Sequence, residues 1–240
     1  MPVHANIEPL DWESAFFGLS CGKVVFDTAA AALTPAALDA WQVVQAKVTS
    51  DDSAQLDALT AAGFRLVDGE IDLRLSVRAD VPAEAALANV RLAGPADMVA
   101  VRALAERAFT LSRFRAPWFD PIKRRLFYGT WAENAIVGSF DHCCLVIGSL
   151  DAVQGMVTLR DIGNGEVRIG LLAVDATFAG RGIGRALMAA AVGWCLQQRK
   201  SVLRVATQNG NIAALRLYIA SGATIDSTAY WLYRGKNDSI

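Results

Sequence analysis

The stretch Leu171-Leu172-Ala173-Val174, followed by Phe178-Ala179-Gly180-Arg181-Gly182-Ile183-Gly184-Arg185-Ala186-Leu187, decides how this chain is read. An apolar strand runs into a loop with glycine at alternate positions, and the loop runs into an amphipathic helix over 184–199. Without Cβ atoms, successive backbone N–H groups are free to turn toward one point. The helix start adds unpaired donors and the positive end of its dipole. Together they form an expected anion site suited to a diphosphate, held by the amides from Gly180 to Arg185 with the side chains of Arg181 and Arg185 as nearby charge. Other phosphate loops fit poorly. A Walker loop needs Lys-Ser or Lys-Thr, absent here, and the Rossmann fingerprint needs glycine where Leu187 stands. A tight strand-to-helix turn with no ligand is the competing structural reading.

Downstream, Asn211, Ala214, Tyr218 and Gly222 recur at spacings of three and four. Asn211, Ala214 and Tyr218 therefore share one face of an expected helix over 211–221. The small Ala214 leaves room for a ligand along that face. A phenol with an ordinary pKa of about 10 is a poor base at neutral pH but an able acid, suited to protonating a thiolate leaving group. Taken alone, Tyr218 also reads as a core tyrosine and Asn211 as a helix cap.

Outward from this region the chain reads as mixed α/β, with a largely antiparallel central sheet flanked by helices. Strands are expected over 89–92, 144–147, 153–159, 167–174, 202–207 and 224–234, and helices up to about 110 and over 123–133. The basic, aromatic, proline-rich stretch 112–121 reads as a loop. Near the N-terminus, 23–26 and 70–75 read as strands, and a helix over 56–62 stops at Gly63. Thr34-Pro35 opens another helix, with Leu38, Trp41, Val44 and Val48 as its apolar face. The segmentation expected is 1–80, a link over 81–88, and 89–240. Residues 52–75 also echo residues 211–234 at a constant offset of 159, aligning Leu56, Gly63 and Leu73 with Leu215, Gly222 and Leu232. In that alignment Leu59 takes the place of Tyr218.

Composition narrows the possibilities. Of 240 residues, 53% are apolar and 20% charged, so the chain is expected to fold around a sizeable core. A net charge of -1 argues against a general nucleic-acid binder. No apolar run approaches the ~20 residues of a membrane helix, and no secretory signal is visible. Four cysteines and two histidines lack metal-ligand spacing, so no metal is expected, and reduced thiols suit a cytoplasmic location.

The order strand, glycine loop, helix, strand and Asn-x-x-Ala-x-x-Leu-Tyr-x-x-x-Gly resembles the GCN5-related N-acetyltransferases over 89–234. Ala179 stands where that family usually has Gln or Arg, and Ala223 where it usually has Phe. Residues 7–10, 15–18, 112–118, 204–208 and 227–234 resemble, more narrowly, the TDP-fucosamine acetyltransferases. The resemblance implies acetyl-CoA as donor, with Leu172, Ala173 and Val174 holding the pantetheine arm, and Gly180, Arg181, Gly182, Ile183, Gly184, Arg185 and Asn211 completing the cofactor site. It implies Tyr218 as the general acid, a nucleotide-sugar amine as acceptor for enterobacterial common antigen synthesis, a homodimer, and a truncated acetyltransferase-like segment over 1–80. Arg113 and Arg115 are candidates for the acceptor's diphosphate, and Glu70 for the sugar. Solvated arginines and an exposed strand face are the alternatives. Glu166 is a candidate base if it lies near the point where the central strands part. Acetylation of another amine, or an inactive acyl-CoA-binding module, remain the rival functions.

Overall fold

The computed structural model describes residues 2–78, 89–150 and 152–236, so the expected link 81–88 lies outside the described residues. The chain divides into two compact units, neither contiguous in sequence: Met1–Ile71 with Ser112–Arg124 and Ser227–Ile240, and Asp72–Leu111 with Arg125–Asp226. Each builds on a mixed sheet, and two long strands contribute residues to both.

In the first unit the strands lie in the order β1 (Ala5–Pro9), β2 (Cys21–Phe26), β3 (Val43–Thr49), β10 (Thr224–Gly235), β4 (Arg65–Ser76). Strands β2 and β3 are parallel, while β1–β2 and β3–β10 are antiparallel. Its helices are α1 (Asp11–Phe17), α2 (Pro35–Asp39) and α3 (Ser53–Ala61). Val24, Val44, Ala46, Leu59, Phe64 and Leu232 form the centre of its core.

The second unit continues from β4 through β9 (Val202–Gln208), β8 (Glu166–Val174), β7 (Ala152–Gly163), β6 (Cys143–Ser149) and β5 (Val90–Leu92). Strands β8 and β9 are parallel; the pairs from β5 to β8 are antiparallel. Helices α4 (Met98–Ala108), α5 (Pro121–Val137), α6 (Ile183–Gln197) and α7 (Ile212–Ala220) complete the elements. Leu187, Ala191 and Cys195 bury one stripe of α6, four residues apart as a helix requires. A fully buried leucine on such a stripe stabilises by roughly 1.5–3 kcal/mol.

The echo at offset 159 extends to every element boundary. β3, α3 and β4 begin and end 159 residues before β9, α7 and β10. Asp52 caps α3 by accepting from the Gln55 amide, as Asn211 caps α7 by accepting from the Ala214 amide. Gly63 and Gly222 both follow their helices at positive φ, +86° and +92°, where a side chain would be strained.

One sequence expectation fails. The helix opened by Thr34-Pro35 ends at Asp39, and Val44 and Val48 belong to strand β3. The spacing of Leu38, Trp41, Val44 and Val48 mimics a helical face. However, the β-branched pairs Val43-Val44 and Val48-Thr49 suit a strand paired on both sides, by β2 and β10.

Candidate active site

The β8–β9 ladder runs from Glu166↔Val202 to Ile169↔Val205, while β8 continues to Val174 and β9 to Gln208. The strands therefore part beyond Ile169. On its other edge β8 stays paired: Leu172, Ala173 and Val174 lie opposite Val157, Met156 and Gly155 of β7. Asp175 ends the strand by accepting from the Thr177 amide at 3.0 Å and from Arg107 at 3.1 Å, which fixes where the loop departs.

Gly180 and Gly182 then adopt φ of +75° and +82°, and Gly182 caps α6 without any side chain. None of the amides from Gly180 to Arg185 donates a hydrogen bond within the protein among the described residues; the first paired one is Ala186, to the Gly182 carbonyl at 3.0 Å. A Cβ at Gly180 or Gly182 would meet nothing within 4 Å, so a ligand has clear access to this backbone. A row of open amides at a helix start fits a diphosphate such as that of coenzyme A. Arg181 and Arg185 are exposed beside it, with Arg181 also 5.3 Å from the ring of Phe178.

Gly184 serves a different purpose. Its Cβ would lie 3.0 Å from the Leu217 side chain, so its bareness lets α7 pack on the first turn of α6. Gly155 of β7 plays a similar part, since a Cβ there would stand 2.8 Å from Ile183. Leu217 is the leucine of the Asn-x-x-Ala-x-x-Leu-Tyr motif, whereas the sequence reading did not single out Gly155; a glycine inside a strand was the available signal.

The residue after Leu217 is Tyr218, buried to 5% exposure. Burial pushes its phenol up from the ordinary value of about 10, which keeps the proton on the oxygen at neutral pH. The hydroxyl makes no hydrogen bond among the described residues, and it stays protonated at neutral pH. Asn211, expected beside it as a cofactor contact, is engaged at both polar ends: its carbonyl caps α7, and its amide donates to Thr207 at 3.1 Å.

Glu166 stands at the paired end of β8, opposite Val202, away from the parting of the strands. Arg204 binds it through two nitrogens, at 2.5 and 3.3 Å, and this hydrogen bonding lowers its pKa. That placement removes the condition under which it was a candidate base.

The three acceptor-side candidates lie in the first unit. Arg113 donates to Gln45 at 2.5 Å, to Tyr233 at 2.6 Å and to Glu13 at 3.1 Å, with its guanidinium 4.2 Å from the rings of both Phe114 and Trp231. Arg115 donates to the carbonyls of Val67 and Ala116 at 3.2 and 3.1 Å. Glu70 accepts from Lys47 at 2.5 Å and from the Trp231 indole at 2.8 Å. Burial opposes charge on Glu70, but these donors outweigh it and its pKa falls. Asp68, two residues earlier on the same strand, is pushed up by burial. Among the described residues no group of three His, Cys, Asp or Glu side chains is placed to hold a metal. No described helix is long and apolar enough to cross a membrane.

Comparison with known proteins agrees with this geometry. The chain is 48% identical to a dTDP-fucosamine acetyltransferase of Escherichia coli O6:H1, over 98% of this chain and 100% of that protein. Its fold resembles that of a functionally unknown conserved protein from Staphylococcus epidermidis, with a TM-score of 0.62 at 12% identity, covering 98% of this chain and 92% of that one. A GCN5-related N-acetyltransferase from Sphaerobacter thermophilus aligns with a TM-score of 0.59 at 18% identity, over 82% of this chain and 61% of that one. The family model for GNAT acetyltransferases matches residues 100–222, a span that holds both the loop of open amides and Tyr218. The chain therefore belongs to the GNAT family of acetyltransferases.

Proposed function

We propose that the protein transfers the acetyl group of acetyl-CoA to the 4-amino group of dTDP-4-amino-4,6-dideoxy-D-galactose, for enterobacterial common antigen synthesis. The observation that carries the donor half is the row of open amides from Gly180 to Arg185, at the end of a strand that has left its neighbour. The acceptor half rests on the whole-length similarity to a dTDP-fucosamine acetyltransferase.

In this reading the amides hold the diphosphate, and the backbone of Leu172 to Val174 aligns the pantetheine arm. Acetyl-CoA supplies the thioester carbonyl: a C–N bond forms to the sugar amine, the C–S bond breaks, and the amine's proton passes to solvent. Tyr218 gives its phenolic proton to the departing sulfur and regains one from water. Holding two substrates side by side accounts for a large part of the rate. Asn211 contributes by fixing the start of α7, the helix that carries Tyr218.

For the sugar nucleotide, Glu70 and the arginines act through the arrangement they hold. Arg113 ties Glu13, Gln45 and Tyr233 together, and Glu70 orders Lys47 and Trp231. Residues 1–80 form a reduced copy of the acetyltransferase fold, 89–240 carry the chemistry, and the protein acts in the cytoplasm as a homodimer. Sedimentation analysis tests the dimer. Mass spectrometry across a panel of nucleotide amino sugars, with acetyl-CoA as donor, tests the reaction. Acetylation of the 4-amino-galactose nucleotide above all others is expected; preference for another amine overturns the acceptor, and no transfer to any overturns the enzyme.

A further inference from the structure

The parting of β8 from β9 has a local cause. Val157 of β7 lies opposite Leu172 and Leu159 lies opposite Ile169, so Thr158 alone faces both Gly170 and Leu171. This two-against-one bulge on β8 follows directly on Ile169, the last residue paired with β9. A bulge bends its strand and sharpens its twist, and it leaves one amide out of the ladder.

That amide is retained by a side chain. The Leu171 N–H donates to the Thr158 hydroxyl at 2.9 Å, and the hydroxyl donates in turn to Asp141 Oδ2 at 2.6 Å. The Trp131 indole donates to the same oxygen at 2.7 Å. Asp141 and Thr158 are both fully buried. Among the described residues the other carboxylate oxygen, Oδ1, has no hydrogen-bond partner, and the Arg160 guanidinium lies 3.9 Å from it. The carboxylate packs against the bare face of Gly170, where a Cβ would lie 2.3 Å from Oδ2 and 2.8 Å from the Thr158 hydroxyl. Burying a carboxylate with so little compensation is costly. A strand needing only stability would be better served by an apolar contact.

We propose that Asp141 and Thr158 are positioning residues for acetyl-CoA: with Gly170 they lock the β8 bulge that opens the cleft and aims the backbone of Leu172 to Val174 at the pantetheine arm. The inference rests on the acetyl-CoA reading of the cleft. The lock acts through the Leu171 amide, so its loss relaxes the strand toward β9 and narrows the cleft without touching the phosphate loop.

Thr158→Val keeps the shape and removes the hydroxyl. Acetyl-CoA affinity by calorimetry is expected to fall about tenfold, which is 1.4 kcal/mol. Hydrogen exchange at the Leu171 amide should accelerate, and the affinity for 3′,5′-ADP, which lacks the pantetheine arm, should stay constant. Thr158→Ser should restore the acetyl-CoA affinity and the slow exchange at Leu171. If Thr158→Val does not fold, Asp141→Asn and Thr158→Ser compared with wild type give the same two binding readouts. Unchanged acetyl-CoA affinity, or an equal loss for acetyl-CoA and 3′,5′-ADP, overturns the proposal. If the wild-type protein does not bind acetyl-CoA, the underlying cofactor reading fails instead.

Discussion

Residues 43–76 and 202–235 follow the same course: a strand, a capped helix, a glycine stop and a long strand, with boundaries at matching positions. Both copies also start from a parallel pair, Cys21↔Val43 to Lys23↔Gln45 in one and Glu166↔Val202 to Ile169↔Val205 in the other. What precedes each pair's second strand differs. Between β8 and β9 lie the glycine loop and the fifteen residues of α6, whereas between β2 and β3 the only helix is the five-residue α2. Where the second copy has Tyr218, the first has Leu59, with no exposure at all and packed into the core. The scaffold is thus separable from the chemistry. Its caps and stops serve folding in both copies, and the loop, the long helix α6 and the side chain at position 218 distinguish the copy to which we assign catalysis.

The largest expected effect tests that distinction directly. Tyr218→Phe should lower kcat by about 10²-fold or more while leaving acetyl-CoA affinity intact. Because burial raises the phenol's pKa, Tyr218 does not titrate in assays near neutral pH, and the variant should keep the wild-type pH profile. Its counterpart Leu59→Tyr should leave turnover unchanged and reduce stability by about 1–3 kcal/mol through overpacking. Wild-type turnover in Tyr218→Phe would mean the copies do not differ in chemistry at this position.

Next in size is Gly182→Val. It places a β-branched side chain at φ +82° and a Cβ where the ligand approaches. Calorimetry should show acetyl-CoA affinity falling about tenfold or more. An undiminished affinity would remove the loop as the diphosphate site.

The shared caps should give matched losses. Asp52→Ala and Asn211→Ala are each expected to cost about 1 kcal/mol in urea denaturation. Only Asn211→Ala should also slow turnover, since its helix carries Tyr218. The smallest effect belongs to Glu70, whose pKa is lowered in the folded state. Its stabilisation is present above the ordinary carboxylate value and lost as pH falls through the lower folded one. Glu70→Gln should flatten that acid slope, by about 1 kcal/mol or less because Lys47 is a third exposed.

Much of this was legible in the chain itself. The strand, loop and helix around Gly180–Gly184 show in alternating glycines and a 3.6-residue period, and the structure places strand β8 and helix α6 within a residue or two of expectation. The repeat shows in Leu56, Gly63 and Leu73. Local pattern failed at Val44 and Val48, where pairing on both sides overrode a spacing that also suits a helix. It failed again at Asp141 and Thr158, because their meaning depends on a strand register thirteen and more residues away. Gly170 was the trace they left. A glycine inside an apolar strand reports that something approaches its bare face, without saying what.

Strands β4 and β10 carry a practical consequence. Since β4 passes into the second unit at Asp72 and β10 leaves it after Asp226, no single cut of the chain yields either unit whole. A fragment beginning at residue 89 would lack residues 72–76 and leave one edge of β9 unpartnered, inviting self-association. Moving the second unit onto another protein therefore means carrying along the end of β4, a strand that begins in the first unit, so the two units are not separable by cutting the chain.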